Sequence, residues 1–352
     1  MIEFVHDALP GRVVFAAGAL AQVADEVARL GAQRVLLIAS ASQRLAADIV
    51  EQDLGDRLAG VIGEAAMHVP IELVDAARIT ARDVGADGIV CIGGGSATGL
   101  AKAIALDVEM PILAVPTTFA GSELTTIWGL TEAGEKRTGR DRRVLPRTVI
   151  YDPELTLGLP LAIAGPSGMN AIAHCVEALY AENANPITSM MAEAGIRAMA
   201  EGLRAVARDA NDLDARARAL LGAYLSGASL SAATMGIHHK LCHVLGGTFN
   251  LPHAETHTVV LPHASAFNRA AAPEAMAKIA TALGSDDAAR GLHDLAAELG
   301  APLSLAAIGM PEDGLDRTAE AATAAPYANP APVDFAAVRS LLDDAYTGRR
   351  PR

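Results

Sequence analysis

Histidines are crowded into one short stretch of this chain. Ten histidines occur in 352 residues, and a window of 26 residues holds six of them: His238, His239, His243, His253, His257 and His263. An imidazole can bind a metal ion, donate a hydrogen bond or transfer a proton near neutral pH. Scattered core packing does not explain such a density, so we expect the chemistry of the chain to centre on this window.

Two pairs of residues near these histidines have helical spacing. His239 and His243 are four residues apart, as are Asn170 and His174 upstream. Residues four apart share one face of a helix. Three converging imidazoles, from His174, His243 and His253, would suit a divalent metal ion or a general acid with anion-binding neighbours. We interpret two other histidines, His257 and His263, as core residues.

A glycine-rich turn in the first half of the chain predicts a second site. It follows a predicted strand at 88–92 and precedes a helical pattern that runs through Lys102. Glycines let a ligand approach the backbone, and the N–H groups that begin a helix favour an anion. A dinucleotide pyrophosphate is the expected occupant, and a tight strand-to-helix turn is the alternative. The residues expected at this nucleotide site are Gly93, Gly94, Gly95, Ser96, Thr117, Thr118, Ser122 and Ser40.

The first predicted strand-to-helix turn, 39–42, bears on the choice of nucleotide. It carries no acidic residue, which would bind the ribose 2′-hydroxyl and repel a 2′-phosphate. Ser40, Ser42 and Arg44 leave room for a phosphate there. The sequence therefore predicts that both NADH and NADPH are accepted.

The two halves of the chain differ in pattern. Short apolar runs at 35–39, 88–92 and 111–116 alternate with helical stretches, which predicts a parallel sheet covered by helices. From about residue 161 the chain is alanine-rich and helical in period, with helices predicted at 166–182, 186–208, 212–234, 236–246, 274–283, 287–298 and 333–345. We expect a Rossmann-like α/β nucleotide-binding domain over residues 1–155, an all-α domain over residues 156–352, and a cleft between them.

Composition excludes several classes of partner. The formal net charge of −13 disfavours nucleic acid as a partner, and the basic stretch 136–143 is interpreted as a solvated loop.

Three cysteines without paired spacing predict reduced thiols in a cytoplasmic protein. The N-terminus lacks a signal-peptide pattern, and no apolar run reaches the roughly 20 residues that span a bilayer.

The motifs resemble a known family. They occur in the order typical of the iron-containing alcohol dehydrogenases, and the resemblance spans nearly the whole chain. These motifs are the glycine turn, Pro116-Thr117-Thr118, Gly121-Ser122-Glu123, Asn170-x-x-x-His174 and the pair His243 and His253. The resemblance implies a dehydroquinate-synthase-like fold. Within the family, segments 93–102, 116–123 and 236–247 look most like the maleylacetate reductases.

This resemblance implies an activity. Maleylacetate reductases reduce the C=C bond of maleylacetate with NADH or NADPH, giving 3-oxoadipate during bacterial breakdown of aromatic compounds. Metal-dependent members of the family usually carry aspartate at the positions of Gly99 and Asn170. In both departures this chain resembles the maleylacetate reductase group. The resemblance also implies a homodimer.

The implied substrate, a dianionic enone, gives the departure at Asn170 a chemical meaning. An amide in place of an anionic ligand weakens binding of a divalent metal, so we expect no obligatory metal. Asn170, His174, His243 and His253 are the expected catalytic residues, with His243 polarising the ketone or delivering a proton. The expected substrate contacts are His238, His239 and Lys240, and a surface role is the alternative for Lys240.

Three other functions are open to this sequence. A metal-dependent alcohol or polyol dehydrogenase of the same family would oxidise simple alcohols once iron or zinc is supplied. A lyase such as a dehydroquinate synthase would recycle its nucleotide instead of consuming it. The third is a nucleotide-binding relative without catalysis, against which the dense histidine cluster argues.

Overall fold

The computed structural model describes residues 3–6, 8–9, 11–66, 69–132 and 135–352. The chain divides into two compact units, Leu9–Leu159 (the α/β unit) and Pro160–Arg352 with the N-terminal segment up to Ala8 (the helical unit). The sequence predicted a boundary after residue 155, whereas the contacts divide the chain after Leu159. Asp152 shows why this segment stays with the α/β unit, because its carboxylate accepts hydrogen bonds from the backbone N–H groups of Gly18 and Leu20.

A six-stranded parallel sheet forms the centre of the α/β unit, with strand order β1-β8-β5-β4-β2-β3. This sheet contains β1 Arg12–Phe15, β2 Val35–Ala39, β3 Leu58–Ile62, β4 Gly88–Gly93, β5 Ile112–Pro116 and β8 Thr148–Tyr151. A separate two-stranded sheet contains β6 Ile127–Glu132 and β7 Glu135–Arg140. The central strands β2, β4 and β5 are buried along their whole length. Continuous apolar runs are typical of parallel strands buried on both faces, which is why the sequence identified these three.

The sequence missed the other strands of this unit, and one prediction here was wrong. The basic stretch 136–143 was expected to be a loop, but most of it belongs to β7, which pairs antiparallel with β6. Trp128 pairs with Gly139 in this hairpin, and a Cβ at Gly139 would lie 2.7 Å from the Trp128 ring. Cross-strand packing of the indole on a glycine therefore stabilises this hairpin. The charged residues of β7 made the same segment resemble a loop in the sequence.

Helices complete both units. Those of the α/β unit are α1 Val23–Leu30, α2 Arg44–Leu54, α3 Ile71–Asp83 and α4 Gly95–Ala105. Those of the helical unit are α5 Leu161–Tyr180, α6 Pro186–Arg208, α7 Leu213–Ala232, α8 Ile237–Phe249, α9 His253–Asn268, α10 Pro273–Leu283, α11 Ala288–Glu298, α12 Leu315–Thr323 and α13 Phe335–Thr347. Among the described residues, no single helix is long and apolar enough to cross a membrane, and α7 and α8 meet that criterion only as a pair bent by 98°.

Helix α9 was not predicted from the sequence. Every residue from 256 to 265 is buried, so this stretch has no solvent face and no amphipathic period. The hydroxyl groups of Thr256 and Thr258 are satisfied by the carbonyl oxygens of Pro252 and Ala254 one turn earlier. Because α9 carries three of the histidines, His253, His257 and His263, this missed helix decides how the cluster is arranged.

Candidate active site

The predicted nucleotide-binding residues meet at one edge of the parallel sheet. Ala39 pairs with Ile92 and Gly93 pairs with Pro116, so β2, β4 and β5 end side by side. The Thr117 N–H donates to the Gly93 carbonyl oxygen at 3.0 Å. Strand order reverses between β2 and β4, because β3 lies beyond β2 on one side and β5 beyond β4 on the other. Ligands of open α/β sheets bind at the carboxyl ends of strands at such a switch point.

The three glycines of the turn have different roles. A Cβ at Gly93 would lie 2.9 Å from the Cβ of Ala97, and a Cβ at Gly94 would lie 2.9 Å from the Thr118 side chain. A Cβ at Gly95 would meet nothing nearer than Ala120, at 4.0 Å. The first two glycines therefore permit internal packing, while the space beside Gly95 fits the approach of a pyrophosphate to the first turn of α4.

A buried lysine holds the loop that carries Ser122. Lys102 Nζ donates to the carbonyl oxygens of Ser122 (2.6 Å), Thr125 (2.7 Å) and Ile127 (2.9 Å), and lies 2.9 Å from Thr125 Oγ1. Burial lowers the pKa of Lys102 to about 7, while the charge of Glu123 acts in the opposite direction. Sequence reasoning placed Lys102 on the helix but missed this role, because its acceptors are backbone atoms of a distant segment.

The residues after β2 show what is available to the ribose. Ser40 Oγ and Ser42 Oγ are 2.9 Å apart. Arg44, which was expected to leave room for a 2′-phosphate, forms ion pairs with Asp48 and Glu51. Its guanidinium is therefore engaged within α2, and acceptance of both NADH and NADPH stays a prediction.

Helices α5, α8 and α9 bring the predicted catalytic histidines together in the helical unit. His239 is the ring with the most histidine neighbours. The centroid of its ring lies 5.3 Å from that of His174, 5.2 Å from His238, 5.0 Å from His257 and 6.1 Å from His243. His253 joins the cluster through His257, with centroids 4.3 Å apart.

The cluster has a closed inner part. His238 and His257 are both 0% exposed, and His238 Nε2 lies 3.0 Å from His257 Nδ1. Cys242 Sγ lies 3.8 Å from the same His238 nitrogen. The interpretation of His257 as a core residue agrees with this geometry. The expected substrate contact at His238 does not, because a fully buried ring offers no surface to a substrate.

The other predicted residues are more open or keep unused polar atoms. His243 is exposed, and His253 and Lys240 are half-buried. The Lys240 ammonium group has no ion-pair or hydrogen-bond partner within the described chain. Asn170 Oδ1 and His174 Nδ1 are buried, also without a described partner. These atoms leave hydrogen-bonding capacity for a ligand.

Burial keeps three histidines of the cluster uncharged. It lowers the pKa values of His174, His238 and His257 well below the ordinary histidine value, and neighbouring imidazoles lower them further. Near neutral pH these rings are neutral, and each still has one N–H to donate.

The fold and the two sites together define the class of protein. The profile for the iron-containing alcohol dehydrogenases matches residues 10–153, and that for the C-terminal part of the Fe-containing alcohol dehydrogenase family matches residues 165–346. The chain belongs to the iron-containing alcohol dehydrogenase family.

Relatives within the family narrow the comparison. A maleylacetate reductase from Burkholderia cepacia is 55% identical over 351 residues, covering all of both chains. A crystal structure of maleylacetate reductase from Agrobacterium tumefaciens superposes with a TM-score of 0.95 at 52% identity, again over all of both chains. A Ralstonia eutropha protein, provisionally named an alcohol dehydrogenase, gives a TM-score of 0.98 at 56% identity over the same full lengths.

The residues at the expected metal position do not fit the iron that gives the family its name. Asn170, His174, His243 and His253 offer an amide and imidazoles but no carboxylate. The carboxylate of Glu177 already accepts hydrogen bonds from Gly236 N, His238 N and His239 Nδ1. A hard divalent cation would have no anionic ligand here.

Potential ligand atoms converge elsewhere, at His238, Cys242 and His257, all within 4.8 Å of one another. The two imidazoles of this group already hydrogen-bond each other. We therefore assign no catalytic role to a metal ion at either group of residues.

Proposed function

We propose that this chain is a maleylacetate reductase, which reduces the C=C bond of maleylacetate to give 3-oxoadipate with NADH or NADPH. The observation that carries the proposal is full-length similarity, at 55% identity, to a protein of that name. The uncharged donor groups around Asn170 and His174 support it, because they suit a substrate with two carboxylates.

The substrate defines what the protein must do. Maleylacetate has a ketone conjugated to an alkene and a carboxylate at each end. The residues of the glycine-rich turn would hold a reduced nicotinamide nucleotide, which would supply the hydride that the alkene carbon β to the ketone receives. The alkene electrons then shift so that negative charge develops on the ketone oxygen, and a proton must be added at the α carbon. The protein has to stabilise that oxygen and deliver that proton.

Neutral buried donors stabilise the developing enolate. His174 is neutral because burial lowers its pKa, and it can donate an N–H without bringing a counter-charge. Asn170 can turn its amide so that the NH₂ group faces a ligand, which an aspartate could not do. Fixed donors in a water-poor site are the arrangement that best stabilises an oxyanion.

His243 is our choice for proton delivery. Its ring is exposed and contacts the His239 ring, so it can donate a proton inward and regain one from water. His253 is half-buried on α9 and belongs to the same cluster, because its ring contacts the ring of His257. Lys240, without a described partner, is positioned on α8 to bind a substrate carboxylate.

The decisive experiment measures NADH oxidation with maleylacetate and identifies 3-oxoadipate as the product. Equal amounts of NADH consumed and 3-oxoadipate formed would support the proposal, and His243→Ala should greatly reduce the rate. Absence of turnover with maleylacetate would refute the proposal. Oxidation of simple alcohols with added iron or zinc would instead establish the metal-dependent alternative, and product formation without net NADH loss would indicate a lyase.

A further inference from the structure

Glu177 is a fully buried carboxylate beside the histidine cluster. It lies on α5, one turn after His174, and is 0% exposed. An isolated buried carboxylate is costly, so each of its oxygens needs donors. Oε2 accepts from Gly236 N at 3.1 Å and contacts His239 Nδ1 at 2.6 Å. Oε1 accepts from His238 N at 3.0 Å and from the Tyr180 hydroxyl at 3.3 Å.

These contacts hold the N-terminus of α8 from outside the helix. The helix begins at Ile237, and its N-cap residue Gly236 has no side chain to satisfy the free N–H groups. Glu177 accepts from two of these groups, and Asn329 Oδ1 accepts from Ile237 N at 3.2 Å. A Cβ at Gly236 would lie 2.9 Å from Asn329 Oδ1 and 3.2 Å from Glu177 Oε1. Glycine is therefore required for both side chains to reach the helix.

The contact with His239 goes beyond capping. An ionised carboxylate only accepts hydrogen bonds, so His239 Nδ1 must carry the proton and Nε2 is left available. In metal sites and catalytic triads, a partner on one imidazole nitrogen sets the tautomer and orientation of the other. Because the His239 ring contacts both His174 and His243, its orientation also sets the surroundings of those two rings.

We propose that Glu177 is a positioning residue for the reduction, because it fixes the Nδ1–H tautomer of His239 and leaves Nε2 to the substrate. The inference rests on the proposed function for its catalytic consequence, but the tautomer itself can be measured without turnover. An amide cannot replace this carboxylate, since its NH₂ group would face a backbone N–H or the imidazole N–H.

The first test is nitrogen-15 NMR of the histidine rings in the wild-type protein. The signals of His239 are identified by their loss in His239→Gln. We expect a protonated Nδ1 and an unprotonated Nε2 for the ligand-free protein near neutral pH. A protonated Nε2 with a bare Nδ1 would overturn the proposal, whether or not the protein reduces maleylacetate.

The second test compares Glu177→Gln with Glu177→Asp, with Glu193→Gln as the control. Glu193 pairs with Lys278 on the surface, away from the cluster. For Glu177→Gln we expect at least a tenfold loss of kcat per folded molecule and an unchanged KM for NADH, with partial recovery in Glu177→Asp. A kcat within twofold of wild type in folded Glu177→Gln would contradict the proposal.

If Glu177→Gln does not fold, the nitrogen-15 spectrum of the wild-type histidine rings decides the proposal. Wild-type protein without maleylacetate turnover would refute the proposed function, and the ring spectrum would still test the role of Glu177.

Discussion

His238 Nε2 lies 3.0 Å from His257 Nδ1, and both imidazoles are completely buried. This pair separates the histidine cluster into a closed inner part and an outer part that retains exposed or unused groups. Clustering in the sequence therefore overstates the number of histidines that can meet a substrate. The inner pair stabilises the packing of α8 on α9, and the outer rings carry the proposed chemistry.

His257→Ala should therefore act on stability. The substitution removes the imidazole partner of His238 Nε2, leaves only the longer contact with Cys242 Sγ, and creates a cavity, so we expect a loss of about 2–4 kcal/mol in the free energy of unfolding. Urea unfolding of wild type and variant measures it. The KM for NADH of the folded fraction should be unchanged, because this ring lies in the helical unit. A variant as stable as wild type would show that the pair contributes little.

The protein should lose stability in mild acid. Burial lowers the pKa values of His174, His238 and His257 well below that of a free imidazole, and lowers the pKa of His263 to about 4. Between about pH 6.5 and pH 4 the unfolded chain binds protons that the folded chain excludes. The contribution of these histidines to the free energy of unfolding is therefore fully present above about pH 6.5. Below that pH it falls, by up to about 1.4 kcal/mol per pH unit for each such histidine.

Urea unfolding at pH 7.5, 6.5 and 5.5 measures this dependence. His263 lies outside the proposed catalytic set, so His263→Gln is a suitable matched variant, and it should show a shallower decline than the wild type. A free energy of unfolding that stays constant from pH 7.5 to pH 5.5 would show that the buried histidines do not behave in this way.

Two neighbouring glycine substitutions should separate folding from nucleotide binding. Gly95→Ala places a methyl group in open space at the start of α4, so we expect a melting temperature close to that of wild type and at least tenfold weaker NADH binding. Gly94→Ala places its methyl group 2.9 Å from the Thr118 side chain, so we expect a lower melting temperature. Calorimetry and NADH fluorescence titration measure both quantities. Unchanged NADH affinity in Gly95→Ala would contradict the assignment of the pyrophosphate to this turn.

Local patterns predicted the parts of the molecule that depend on local interactions. The buried strands β2, β4 and β5 are continuous apolar runs, and helices α6 and α7 have clear boundaries, so both could be identified in advance. The glycine-rich motif after β4 correctly indicated the start of a helix, and its role in nucleotide binding stays a prediction. The histidine window likewise indicated a shared site, because α8 presents His239 and His243 on one face.

Other features depend on partners far away in the sequence. Helix α9 is surrounded by protein and lacks the period that marks a surface helix, so the helix itself, and with it the contact between His257 and His238, could not be predicted. Glu177 has no motif around it, and its donors lie about 60 residues further along the chain. Lys102 is similar, because its acceptors are backbone carbonyl oxygens. Such residues are identified only when the tertiary contacts are known.

Activity should survive removal of metal ions. The proposed site has no anionic ligand, so prolonged chelation should leave the rate of maleylacetate reduction within about twofold of the untreated enzyme. Elemental analysis before and after treatment shows whether metal was removed. Asn170→Asp restores a carboxylate, and we expect it to retain more iron or zinc and to raise the KM for maleylacetate by charge repulsion. Stoichiometric iron or zinc in the wild type, with activity lost on its removal, would refute the metal-free assignment.

Lys240 should contribute mainly to binding of the substrate. Its ammonium group has no partner in the described part of the chain, and a charge-assisted hydrogen bond to a carboxylate contributes about 1.5–3 kcal/mol. We therefore expect Lys240→Met to raise the KM for maleylacetate at least tenfold, with a smaller change in kcat and no change in the KM for NADH. Lys278→Met is the matched control, because it removes an equal charge that pairs with Glu193 on the surface. The tenfold difference should shrink as salt is added, since screening weakens the wild-type contact. Equal KM values for the two variants would place Lys240 on the surface and assign the substrate carboxylates to other residues.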